Sequence, residues 1–103
     1  MSQLTVIARI QAQEGKRDEI VAAFQEYFPQ VESEDGTRVY AISTDTGDET
    51  SVWVYEMYTD NDALKAHGAS DAFKAFGGKI GGLLAGAPEL HICTPVQAKG
   101  LPG

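Results

Sequence analysis

Apolar residues along the chain recur first at every second position and then at every third or fourth. The switches between these two periods predict a β-α-β-β-α-β order. Residues 4–11 (L-T-V-I-A-R-I-Q), rich in β-branched side chains and free of Gly and Pro, read as a first strand. After Gly15, a helix is expected from Lys16, because Ile20, Phe24, Tyr27, Phe28 and Val31 fall on one side of it. Pro29 has no N–H to return to Gln25, so the helix should kink or stop near it, with residues 32–36 (E-S-E-D-G) as the exit turn. Residues 37–44 (T-R-V-Y-A-I-S-T) and 51–58 (S-V-W-V-Y-E-M-Y) read as two strands of a hairpin, joined by the polar segment 45–50. Asp60 is placed to cap a short helix reaching about His67, and Ser70 to cap another carrying Phe73, Phe76, Ile80, Leu83 and Leu84 on one side. Residues 88–96 supply a fourth strand, and the tail 97–103 is expected to fray.

This order describes a ferredoxin-like α+β domain, a split βαβ in which a four-stranded antiparallel sheet carries its helices on one face. The other face should then alternate toward water, yet the third strand sets Val52, Val54 and Tyr58 on one side and Trp53, Tyr55 and Met57 on the other. Val6 and Ala8 opposite Ile7, and Val39 and Ala41 opposite Tyr40 and Ile42, repeat the pattern. A second copy of the chain is the simplest cover for such a face, which predicts a homodimer packed sheet against sheet.

The composition fits one domain spanning residues 1–103, with a core over about 3–96. At 103 residues, 43% hydrophobic and 22% charged, the chain is too short to divide. Its net charge of -7 has the wrong sign for phosphates and argues against nucleic acid. Its apolar runs fall far short of the roughly 20 residues of a bilayer span, and no leader-like start is visible, so a soluble, cytoplasmic protein without a membrane partner is expected. Cys93 has no second cysteine to pair with, and the isolated His67 and His91 lack metal-site spacing, so neither disulfide nor metal is expected.

Glu56 is the one charge inside an otherwise apolar strand. It is either a structural carboxylate bonded to a helix N-terminus or to an inter-subunit Arg such as Arg9 or Arg38, or a pocket acid or base raised by burial. His67 ends the short helix, where the macrodipole alone would favour it. That helix must nevertheless run back over the third strand, which would set His67 above Trp53 and Val54 at a pocket between helix and sheet. His91 reads as structural or exposed. Gly77, Gly78, Gly81 and Gly82 are costly in a helix. Close packing of backbone on the sheet is the preferred account, and a loosened segment over a cavity the alternative. The run is no phosphate loop, since no strand leads into it and no G-K-[ST] follows.

Taken together, L-T-V-I-A-R-I at 4–10, Gly15 opening a helix, Val31 through Glu34-Asp35-Gly36 and Tyr40, Glu56-Met57-Tyr58, L-K-A-H at 64–67, F-K-A-F at 73–76 and P-E-L-H-I from Pro88 through Pro95 resemble the antibiotic biosynthesis monooxygenase family, most of all its quinol monooxygenase-like members. The resemblance spans about residues 3–96. It implies a dimeric α/β barrel and oxygenation of quinols, anthrones or similar electron-rich aromatics by molecular oxygen, with no flavin, haem or metal cofactor. Glu56 matches the acidic position of the family's E-x-W element and His67 its A-H element. Tyr58 stands where Trp is common and Ala72 where many relatives have His, departures that leave the substrate open. The haem-degrading branch, which uses an Asn on the first strand with a Trp and a His on the last helix, is disfavoured, because the first strand here has no Asn and His67 and Gly77 stand at the corresponding helix positions.

The resulting expectation is a cofactor-independent monooxygenase. His67 is its base or anion-holding donor, Glu56 orients or tunes that histidine, and Trp53, Tyr55, Tyr58 and Phe73 contact the substrate. Two rivals remain open: an isomerase of a small carbonyl compound, in which His67 and Glu56 shuttle protons, and a non-catalytic small-molecule-binding or stress-response protein.

Overall fold

In a computed structural model that describes residues 3–102, the strands β1 (Leu4–Gln11), β2 (Thr37–Thr44), β3 (Ser51–Tyr58) and β4 (Glu89–Cys93) form one antiparallel sheet in the order β2-β3-β1-β4. Helices α1 (Arg17–Glu32), α2 (Asn61–Ala69) and α3 (Asp71–Ile80) cover one face, giving the ferredoxin-like α+β fold. The first three strands begin and end where the alternation placed them. Pairing of Val6 with Glu56, Ala8 with Val54 and Ile10 with Val52 sets these side chains on the helix side, where Ile20, Phe24, Tyr27 and Val31 of α1 and Phe76 and Ile80 of α3 complete the core. Among the described residues no helix is long and apolar enough to cross a membrane.

As expected, α1 stops near Pro29, and residues 33–36 form the exit turn. The helix continues to Glu32, because the Ser33 amide donates to the carbonyls of Pro29 and Gln30 and closes the last turn. Both expected caps form: Asp60 Oδ1 accepts from the Ala63 amide at 2.8 Å, and Ser70 Oγ from the Phe73 amide at 3.0 Å. The stripe extending to Leu84 is helical only as far as Ile80. Residues Gly81–Leu83 tighten into a single 3-10 turn. The Leu83 carbonyl and Ala85 amide are then captured by Gln13 and Gln11 at 2.8 Å each, and Leu84 bridges to Ala12. Strand β4 is shorter than 88–96, since Cys93 pairs with Thr5 near the start of β1 and Pro95 lacks an N–H.

The second face of the sheet has no helix on it and leaves Ile7 39% and Trp53 38% exposed. Met57 is buried there, and instead of fraying, the tail turns back so that Leu101 and Pro102 share a small hollow with Gln3 and Met57. Gly100, at φ +91°, makes that turn. Gly103 lies outside the described residues.

Candidate functional site

Between the sheet and helices α2 and α3 lies a cavity of about 420 Å³, within the range of small-molecule sites. Val6, Ala8 and Val54 form its floor, Leu64, Phe73 and Phe76 its roof, and Leu84, Pro88 and Leu90 one end. Only three lining residues have polar side chains: Tyr40, Glu56 and His67. Gly68 and Gly77 lie in its wall. A Cβ at either position, or at Gly78, Gly81 or Gly82, would touch nothing within 4 Å. The glycine run is therefore not explained by close packing on the sheet, the account the sequence favoured. It leaves one side of the cavity thinly walled instead.

His67 is 4% exposed, in the last turn of α2, inside a cage of aromatic rings. The ring centroids of Phe73, Tyr58, Tyr40 and Tyr27 lie 5.2, 5.4, 5.5 and 6.1 Å away. Its Nδ1 is 2.7 Å from Oε1 of Glu34, in the turn between α1 and β2. The Tyr27 hydroxyl stands 3.5 Å from each ring nitrogen. Local backbone brings Glu34 there. The Glu34 amide donates to the Val31 carbonyl and the Thr37 amide to the Glu34 carbonyl, while Gly36 lets the turn lie against α2 so closely that a Cβ would sit 2.5 Å from that of Ala63. Glu34 also accepts from Gln30 Nε2 at 2.9 Å and from Thr37 Oγ1 at 2.8 Å. Partial burial pushes this carboxyl up, but the hydrogen bonds from His67, Gln30 and Thr37 outweigh it and hold it below the ordinary carboxylate range. An ionised Glu34 can only accept, so the proton of a neutral His67 belongs on Nδ1.

Glu56 is 7% exposed and accepts a hydrogen bond from the Tyr58 hydroxyl. Burial pushes its carboxyl above the usual range, which the Tyr58 bond and the nearby imidazole only partly offset. Burial, and then the neighbouring carboxylates, hold the hydroxyls of Tyr27, Tyr40 and Tyr58 well above the ordinary phenol range, so they remain donors. Among the described residues no three His, Cys, Asp or Glu side chains converge as metal ligands.

A family model described as antibiotic biosynthesis monooxygenase matches residues 3–79. The chain belongs to this family. A solved structure from Caulobacter crescentus, named as a candidate antibiotic biosynthesis monooxygenase, is 33% identical, covers 93% of this chain and 92% of its own, and superimposes with a TM-score of 0.88. A Mycobacterium tuberculosis protein is 23% identical over 94% of this chain and 98% of its own, with a TM-score of 0.86. A variant of SnoaB, a cofactor-independent oxygenase from Streptomyces nogalater, is 17% identical over 97% of this chain and 99% of its own, with a TM-score of 0.84. The last two likenesses show the shared fold alone. No curated protein matches the chain.

Within this antibiotic biosynthesis monooxygenase fold, Glu56, His67 and Phe73 come together at the cavity, and Tyr58 stands behind Glu56. Trp53 and Tyr55 do not join them. They alternate onto the second face of β3, where Trp53 Nε1 donates to Asp45 Oδ2 at 2.7 Å, so His67 overlies Glu56 and Tyr58 and not Trp53. Within one chain, and among the described residues, the side-chain hydrogen bond to Glu56 comes from Tyr58 and not from an arginine. Arg9 points to the other face and binds Asp48 and Ser51. His91 is exposed, paired with Ile7 on that same face. Glu34 and Tyr27 are site residues that the sequence did not point to, and Tyr40 is one of the aromatics that the sequence leaves undivided between core and cleft. A signal for Glu34 was present: Val31 and Glu34, four and seven residues after Tyr27, continue the inward stripe of α1, and Glu34 carries it past the helix end.

Proposed function

We propose that this protein is a cofactor-independent monooxygenase acting on a quinol or another electron-rich aromatic compound, with His67 as the base. The observation that carries the reading is the cavity itself, apolar on nearly all sides and supplied at one wall with an imidazole whose Nδ1 is tied to a carboxylate. In this reading His67 Nε2 removes a proton from a substrate hydroxyl, leaving a phenolate-like anion in a dry pocket. The anion passes an electron to oxygen, and the radical pair combines at a ring carbon. The O–O bond then breaks: one oxygen stays on the substrate, and the other leaves as water with two substrate hydrogens. The four electrons that reduce oxygen come from the substrate.

Glu56 faces the same cavity with its carboxyl raised by burial, which favours a neutral group able to donate to the substrate oxygen. Phe73 and Tyr40 supply ring contacts, and the second face of the sheet is left for a second copy of the chain. Oxygen uptake with a panel of hydroquinones and anthrones tests the proposal. Turnover is expected in air and none under argon, with His67→Ala lowering kcat by roughly 10²- to 10⁴-fold. Absence of turnover across the panel, anaerobic isomerisation of a carbonyl compound, or equal turnover by His67→Ala contradicts it.

A further inference from the structure

We infer that Glu34 is a positioning residue for His67 and that the two together form the proton outlet of the cavity, leading from its apolar interior to a polar cleft on the opposite side of the imidazole. The inference rests on the functional reading above for the proton to be moved, and on geometry for the route. His67 is common to two hollows. One is the apolar cavity; the other is an outer cleft of about 330 Å³ lined by Gln30, Ser33, Glu34, Asp35, Thr37 and residues of α2. Glu34 lines only the outer cleft, so the Nδ1–Oε1 contact of 2.7 Å crosses the wall between them.

The chemistry follows from the proton inventory of the pair. Glu34 accepts from Gln30, Thr37 and His67, which fixes its orientation and requires a hydrogen on Nδ1. Nε2 keeps its lone pair, with the Tyr27 hydroxyl at 3.5 Å as its partner among the described residues. When the substrate O–H breaks and an Nε2–H forms, the Nδ1 proton passes to Glu34 Oε1. Water in the cleft then takes it. The Nε2 proton is later delivered to the oxygen that leaves as water, and a proton returned from the cleft through Glu34 re-forms Nδ1–H, so the ionised carboxylate and the starting tautomer are restored with no net proton released. The other titratable groups facing His67 are Tyr27 on α1, Tyr40 on β2, and Glu56 and Tyr58 on β3. None of these lines the outer cleft, and Glu34 is the one that joins it to the imidazole.

The test uses two readouts on the full chain. In the ligand-free protein, ¹⁵N NMR of the His67 ring is expected to show the Nδ1–H tautomer in the wild type and its loss in both Glu34→Leu and Glu34→Ala, neither of which offers an acceptor. The Leu variant, close to Glu in size, guards against misfolding of the Ala one. In steady-state oxygen uptake with a hydroquinone, Glu34→Gln is expected to lower kcat at least tenfold and leave KM within about twofold, since it acts after the substrate is seated. Persistence of the Nδ1–H tautomer in both variants overturns the positioning role. Unchanged kcat in Glu34→Gln overturns the outlet. A wild-type protein that oxidises no hydroquinone contradicts the functional reading instead, and the tautomer measurement then decides the role of Glu34 by itself.

Discussion

Tyr58 and Glu56, two residues apart on the same face of β3, are joined by a hydrogen bond in which the phenol donates to the carboxylate. Both are buried, so the carboxyl has lost most of its water and has this hydroxyl in exchange. Replacing Tyr58 with Phe keeps the ring that packs 5.4 Å from His67 but leaves Glu56 without its donor. We expect Tyr58→Phe to destabilise the fold by about 1–3 kcal/mol in urea unfolding. A loss of a few tenths would mean that water replaces the hydroxyl freely.

Burial raises the folded-state pKa of Glu56 above its unfolded value. A raised carboxyl favours folding at low pH, and that contribution disappears as pH climbs through the folded pKa, because ionisation is then easier in the unfolded chain. Glu56→Gln cannot ionise. Its melting temperature should therefore exceed that of the wild type at pH 8, and the difference should shrink toward zero below about pH 4, where unfolded Glu is itself protonated. A stabilisation independent of pH would show that charge burial is not the cause.

The thin wall at α3 makes a separate prediction. A Cβ at Gly77 meets no neighbour, so Gly77→Ala should stabilise the protein by up to about 1 kcal/mol through helix propensity. Gly77→Leu places a larger side chain at the cavity wall and should weaken binding of a hydroquinone while leaving the melting temperature at or above that of the wild type. Lost stability in both variants would contradict the open space seen there.

The second face of the sheet, with Ile7 and Trp53 more than a third exposed, gives the dimer expectation a direct test. Light scattering should return about twice the 11.1 kDa chain mass, and Ile7→Glu, which sets a carboxylate in the middle of that face, should return the single mass. A wild-type monomer would show that this face is left to solvent.

Much of this architecture is legible in the sequence because the signals are local. Residues 4–11, 37–44 and 51–58 carry strand composition between turn residues, and Asp60 and Ser70 announce their helices by side-chain chemistry that acts within three residues. The site is less legible because its decisive contacts are distant. Glu34 and His67 are 33 positions apart, and Glu34 lies in a polar turn that reads as solvent-facing. On β3 both faces are apolar, so alternation separates Trp53 and Tyr55 from Val54 and Glu56 without telling which set the helices cover. The core side chains of α1 and α3 settle that, not β3 itself. Pro29, by contrast, is a local signal that was legible, since α1 ends near it.

The central claim, that the hollow beside His67 receives the aromatic substrate, is tested most directly by a crystal structure of the protein with 1,4-naphthohydroquinone bound under argon. The account predicts the rings between Phe73 and Val54, with a hydroxyl oxygen about 2.6–3.2 Å from His67 Nε2. Ligand seated instead on the opposite face, against Trp53 and Tyr55, with the hollow beside His67 unfilled, would contradict it.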